Sequence, residues 1–191
     1  MSEYDLVGIG NAMVDVLATV DDAFLEEQTL DKGAMTLVDT DRASEIYAKM
    51  PPAQEVSGGS CGNTMAGFAS LGGKGVFIGK VRDDQLGDVF RRDMQSIGVD
   101  FFTPATTEGP QTGSCLVLIT PDAQRTMCTN LGAASNLTPK DIDKDIIQAA
   151  KVVYMEGYLF DPPDAQDAFV EAADLSHDAG RKVSITLSDP F

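Results

Sequence analysis

Short apolar runs punctuated by glycine or polar residues recur at residues 6–10, 75–81, 116–120, 152–155 and 183–187. Such runs read as strands buried on both faces. Between several of them lie segments whose apolar positions repeat with helical period, at 41–49, 63–71, 85–97, 139–150 and 164–179. Thr138-Pro139 supplies an N-cap with a first-turn proline, and Gly98 and Gly180 stand where helix C-caps belong. Strand followed by helix, repeated, predicts an α/β fold with a doubly wound, mainly parallel sheet flanked by helices.

Two segments break that rhythm. Residues 22–39 and 101–131 are rich in Thr, Gly and Pro, and Pro121-Asp122-Ala123-Gln124 separates two strand-like arms in a hairpin pattern. They predict a small β-strand lid, inserted at about 16–39 and 101–131, beside the main sheet and able to cover a site at its edge. With 191 residues the chain has room for one domain carrying such a flap.

Charge narrows the partners. Fourteen Lys and Arg against thirty Asp and Glu give a net charge of −16, a field that repels nucleic acid and anionic membranes. A phosphate ligand would need local amides, a few cations or a metal ion to overcome it. Cys61, Cys115 and Cys128 form no CxxC pair, which predicts neither disulfide framework nor zinc knuckle and fits a reducing, cytoplasmic setting. The acidic start is unlike a signal peptide, and no apolar run nears the ~20 residues of a membrane span. Ser188-Asp189-Pro190-Phe191 would lie at the carboxyl edge of the last strand, where a complete domain is not expected to stop, since a buried parallel strand needs a following helix.

Two segments could carry chemistry. Gly8-Ile9-Gly10-Asn11 follows a strand, but Met13 replaces the third glycine of a dinucleotide fingerprint. Asn11 and Asp15 are either a turn residue and a helix cap, or an amide and a carboxylate that together hold vicinal hydroxyls of a sugar. Ser57-Gly58-Gly59-Ser60-Cys61-Gly62-Asn63-Thr64 precedes a helix. Its glycines serve either tight helix–sheet packing or the close approach of free backbone amides to a ligand. No Lys-Ser or Lys-Thr follows, so it is not a Walker A loop. His177 is the single histidine and reads as a solvated or capping residue, and the acidic run 141–145 lacks the glycine and glutamate of a calcium loop. No metal site is expected within this stretch.

Gly58-Gly59-Ser60-Cys61-Gly62-Asn63-Thr64-Met65-Ala66, then Leu71-Gly72-Gly73, Gly79-Lys80-Val81, Asp83-Asp84 and Gly87, resemble the N-terminal signature of ribokinase-like (phosphofructokinase-B-type) kinases. Thr112-Gly113 and Asn130-Leu131-Gly132-Ala133-Ala134-Ser135-Asn136 follow in the family's order, so the resemblance covers essentially the whole chain. The spacing of Asn11 and Asp15 looks more like the adenosine-kinase branch than ribokinase itself. The resemblance implies that Asp15 holds sugar hydroxyls, that Gly58 and Gly59 pack under the sugar, and that Asn63 reaches a hydroxyl. Glu156 resembles a strand-end glutamate with which ribokinases contact sugar, a position where adenosine kinases differ. Arg125 is either a lid cation that approaches the transferred phosphate or simply a solvated one.

The implied activity is ATP- and Mg2+-dependent phosphorylation of a primary hydroxyl of a nucleoside or sugar. The family's base is the aspartate of a Gly-Ala-Gly-Asp turn. No such run occurs in these 191 residues, and Asn63-Thr64-Met65-Ala66 lacks the glutamate of the family's magnesium-linked Asn-x-x-Glu element. The catalytic base is therefore expected outside this stretch, which alone would not transfer phosphate. A non-catalytic sugar- or nucleoside-binding module is the alternative, and a dinucleotide-binding oxidoreductase has only Gly8 and Gly10 in its favour. A homo-oligomer is compatible with the pattern. A sheet cut at a parallel strand exposes apolar surface, so association or poor solubility is expected of the 191-residue chain, and monomeric elution from a sizing column at high concentration would contradict it.

Overall fold

The computed structural model describes residues 3–188. Asp189, Pro190 and Phe191, expected at the carboxyl edge of the last strand, lie outside the described residues. In chain order the first half forms β1 (Tyr4–Ile9), β2 (Met13–Thr19), α1 (Asp22–Glu27), β3 (Met35–Leu37), α2 (Thr40–Lys49), β4 (Gln54–Gly58), α3 (Ser60–Ser70) and β5 (Gly75–Ile78). The second half forms α4 (Gln85–Ser96), β6 (Val99–Phe101), β7 (Gly113–Ile119), β8 (Arg125–Asn130), α5 (Lys144–Ala149), β9 (Ala150–Glu156), α6 (Pro163–Asp178) and β10 (Lys182–Thr186).

The main sheet runs β10-β9-β1-β5-β6 and every pairing in it is parallel. Alternate side chains of its strands point to opposite faces. Val7, Ile9, Val153 and Met155 pack against Ile147 of α5 and Phe169 of α6. Phe77 points the other way, onto Met65 of α3 and Phe90 and Met94 of α4. Helices thus cover both faces, as the alternation of strand and helix predicts.

The second sheet runs β3-β8-β7-β2-β4. β2 pairs parallel with β7, and β3 with β8, while β2–β4 and β7–β8 are antiparallel. Val14, Val16, Leu116 and Cys128 on one of its faces join Ile46 of α2 and Phe90 in the same core as the main sheet. The turn at Pro121–Gln124 closes with Ala123 N–H to the Thr120 carbonyl at 2.8 Å and Thr120 N–H to the Gln124 carbonyl at 3.0 Å.

Two expectations are corrected. Residues 13–19 form a strand, which puts Asp15 in mid-strand and removes its reading as a helix cap. The single helix expected over 139–150 is broken, because Thr138 and Asp141 close a capping box around a 3-10 turn and Asp143 then caps α5 through the Asp145 and Ile146 amides. Asp141 also pairs with Lys80, which ties this turn to the end of β5.

Phe90 is fully buried and meets Phe77 and Phe101 edge-on, with ring centroids 5.1 Å and 5.5 Å away. Phe90→Ala is expected to cost about 3–5 kcal/mol in urea unfolding. A loss below about 1 kcal/mol would show that this aromatic cluster is not where the two sheets are joined.

Candidate functional site

A cleft of about 350 Å³ opens between the carboxyl edge of the main sheet and the free face of the lid sheet. Parallel α/β sheets hold ligands at that edge. Asn11, Gly59, Ser60, Glu156, Tyr158 and Asp161 line it from the main body; Asp15, Met35, Leu37, Cys115, Met127 and Thr129 line it from the lid.

Strand register orders the lid wall. Asp15 lies opposite Cys115, Cys115 opposite Thr129, and Thr129 opposite Leu37, so these four form one row across the sheet. At about 4.8 Å between strands the row spans roughly 14 Å. The next row, Leu17, Val117, Met127 and Met35, is apolar throughout. The wall therefore grades from a carboxylate at β2 to exposed methionine and leucine on β3, whose Met35 and Leu37 are 42% and 61% accessible.

Asp15 is half-buried and accepts no hydrogen bond among the described residues. Gly58 makes this possible, since a Cβ there would come 2.5 Å from the Asp15 carboxylate. Gly59, at φ +80, turns the chain into α3 and lines the cleft beside it. Asn11 is buried, and its Oδ1 has no partner among the described residues. Glu156, 2% exposed, accepts from the Asn11 and Cys61 amides at 3.1 Å and 3.2 Å. Burial raises the Glu156 carboxyl above its ordinary range, and the donors around it pull back the other way. Cys115 stands beside Asp15, and burial pushes its thiol up to about 11, so it stays protonated and unreactive at neutral pH.

The structure brings Asn11, Asp15, Gly58, Gly59 and Glu156 together. Asn63 sits in the first turn of α3, exposed and not among the residues that line the cleft. Arg125 opens β8 opposite Ile119, exposed and also outside the lining. The expectation of free amides before α3 is corrected in part: Ser57 N–H goes to Asp93, Cys61 N–H to Glu156 and Asn63 N–H to the Gly59 carbonyl. Sequence reasoning missed the apolar half of the wall, whose one signal was the alternation of 126–131.

Desolvation with no cation nearby holds the Asp15 carboxyl above the usual carboxylate range. The folded chain then binds this proton more tightly than the unfolded one, so ionised Asp15 lowers stability at neutral pH and the loss is relieved as pH falls through the raised pKa. Asp15→Asn is expected to raise the unfolding temperature at pH 7, with the gain shrinking towards acid pH. A lowered midpoint at pH 7 would contradict this assignment.

The chain resembles solved structures along nearly its whole length. An adenosine kinase from Sinorhizobium meliloti is 49% identical, superposes with a TM-score of 0.87, and is matched over 98% of this chain and 57% of its own. A probable sugar kinase from Rhizobium etli is 44% identical with a TM-score of 0.88, over 99% of this chain and 57% of its own. The adenosine kinase of Saccharomyces cerevisiae is 30% identical over 97% of this chain and 56% of its length. The chain thus spans a little over half the length of these relatives. The model of the pfkB family of carbohydrate kinases matches residues 9–191, and the chain belongs to that family.

Proposed function

We propose that this chain is the substrate-binding part of a kinase that phosphorylates a primary hydroxyl of a nucleoside, adenosine-like, or of a sugar. One observation carries the reading: among the described residues neither the Asp15 carboxylate nor the buried Asn11 Oδ1 accepts a hydrogen bond, and both residues line one cleft. Two unfilled acceptors call for two donors on the ligand, which the vicinal hydroxyls of a sugar supply. The lid row is longer than a pentose, and its methionine and leucine end offers dispersion contact to a flat base. A neutral nucleoside is also indifferent to the −16 charge that would repel an anionic ligand.

ATP and magnesium belong to this reading as the phosphoryl donor and its counter-ion. Among the described residues no three His, Cys, Asp or Glu side chains converge as a metal site, and no step is routed through such an ion. What the chain's own residues do is bind and orient: Asp15 and Asn11 fix the sugar, and the lid sheet covers it from water.

Titration calorimetry with adenosine and with ribose tests the proposal. Binding of either, weakened about 1.5–3 kcal/mol by Asp15→Ala, is expected for a charge-assisted contact. No binding of either at millimolar concentration would overturn the reading. Binding with no phosphorylation by the full-length protein in ATP and magnesium would favour the non-catalytic binding module.

A further inference from the structure

Glu156 is the most deeply buried carboxylate at the cleft, and its oxygens face inward. Oε2 takes the backbone N–H groups of Asn11 and Cys61, and Oε1 faces the Asn11 Nδ2 at 3.5 Å. The Ser60 side chain also favours its ionised form. A carboxylate has about four acceptor sites; the Asn11 and Cys61 amides fill those of Oε2, and Oε1 has the longer contact with Asn11 Nδ2.

The neighbours are shaped to this arrangement. A Cβ on Gly10 would collide with Oε2, so the chain passes the carboxylate only as glycine. Gly59 has no side chain to cap α3, and the N–H of Cys61 in its first turn is satisfied by Glu156 instead. Because the carboxylate only accepts, the amide of Asn11 turns its Nδ2 towards it, which leaves Oδ1 on the far side without a partner.

We propose that Glu156 acts as a positioning residue: it clamps the β1–β2 turn to the start of α3 and selects the Asn11 amide orientation that presents an acceptor to the substrate. This rests on the reading of the cleft as a nucleoside or sugar site. Glu156 acts through Asn11, so the two residues should be worth no more together than Asn11 alone.

The test is a double-mutant cycle in the full chain, read by adenosine titration of the parent, Asn11→Ala, Glu156→Gln and the double variant. Glu156→Gln puts an NH2 group against donors, and about tenfold or more loss of affinity is expected. The double variant should bind no worse than Asn11→Ala. Additive losses, or unchanged affinity in Glu156→Gln, would overturn the proposal. Amide exchange supplies an independent readout: protection at Asn11 and Cys61 should fall together in Glu156→Gln, and retained protection at either would refute the clamp. If the parent binds neither adenosine nor ribose, the site reading fails and the exchange result alone decides the clamp. Should Glu156→Gln not fold, Glu156→Asp, whose shorter carboxylate cannot reach both amides, takes its place in both measurements.

Discussion

The parallel registers on either side of β1 set the position of everything at the cleft. Ile9 lies opposite Met155 on one neighbour and Ile78 on the other, so the residues that leave the sheet next, Gly10 and Asn11, emerge beside Glu156 at the same edge. Parallel strands all end on one side, and a chain leaving that side must turn over it. Here it turns into β2, and the lid sheet is thereby hung from the sheet's central strand. Asp15 enters the cleft because it lies two residues beyond Met13 on the face of β2 that the core does not use.

Two carboxylates at this edge face opposite situations. Both are removed from water, and both have their charged form penalised by that removal. Glu156 recovers the cost from protein donors fixed by β1 and α3, whereas Asp15 recovers none of it inside the chain. A group left in that state in a folded protein stores affinity for whatever brings the missing donors. The acidic surface has little part in this, since the cleft works through short-range hydrogen bonds and apolar contact rather than long-range charge.

Much of this was legible in the sequence. The strand and helix alternation reads directly from apolar period, and the Pro121–Gln124 turn from its residue types. The glycines around Asp15 carry a local signal because close approach demands them. Residues 13–19 were harder: Asp15 interrupts an apolar stretch, and only the burial of Val14, Val16 and Ala18 on one face shows the period of two. The break before α5 depends on Asp143 capping where a continuing helix was equally consistent with composition. Met35, Leu37 and Met127 reach the cleft through pairings between distant strands, which no local pattern records.

The lid sheet also dictates an order of assembly. Met13 on β2 pairs with Gly113 on β7, a hundred residues later, and β1 waits for β9 beyond Ala150. Closing loops of that length costs entropy before any contact repays it, and such pairings slow folding. Within this stretch β2 meets β4 across a shorter loop than the one to β7, and β1 meets β5 across a shorter loop than the one to β9. Each of β1 and β2 thus has a nearer partner, β5 and β4, and gains its second only once β9 and β7 exist, so the wall that joins Asp15 to Cys115 and Thr129 closes late and leaves one strand edge open until then.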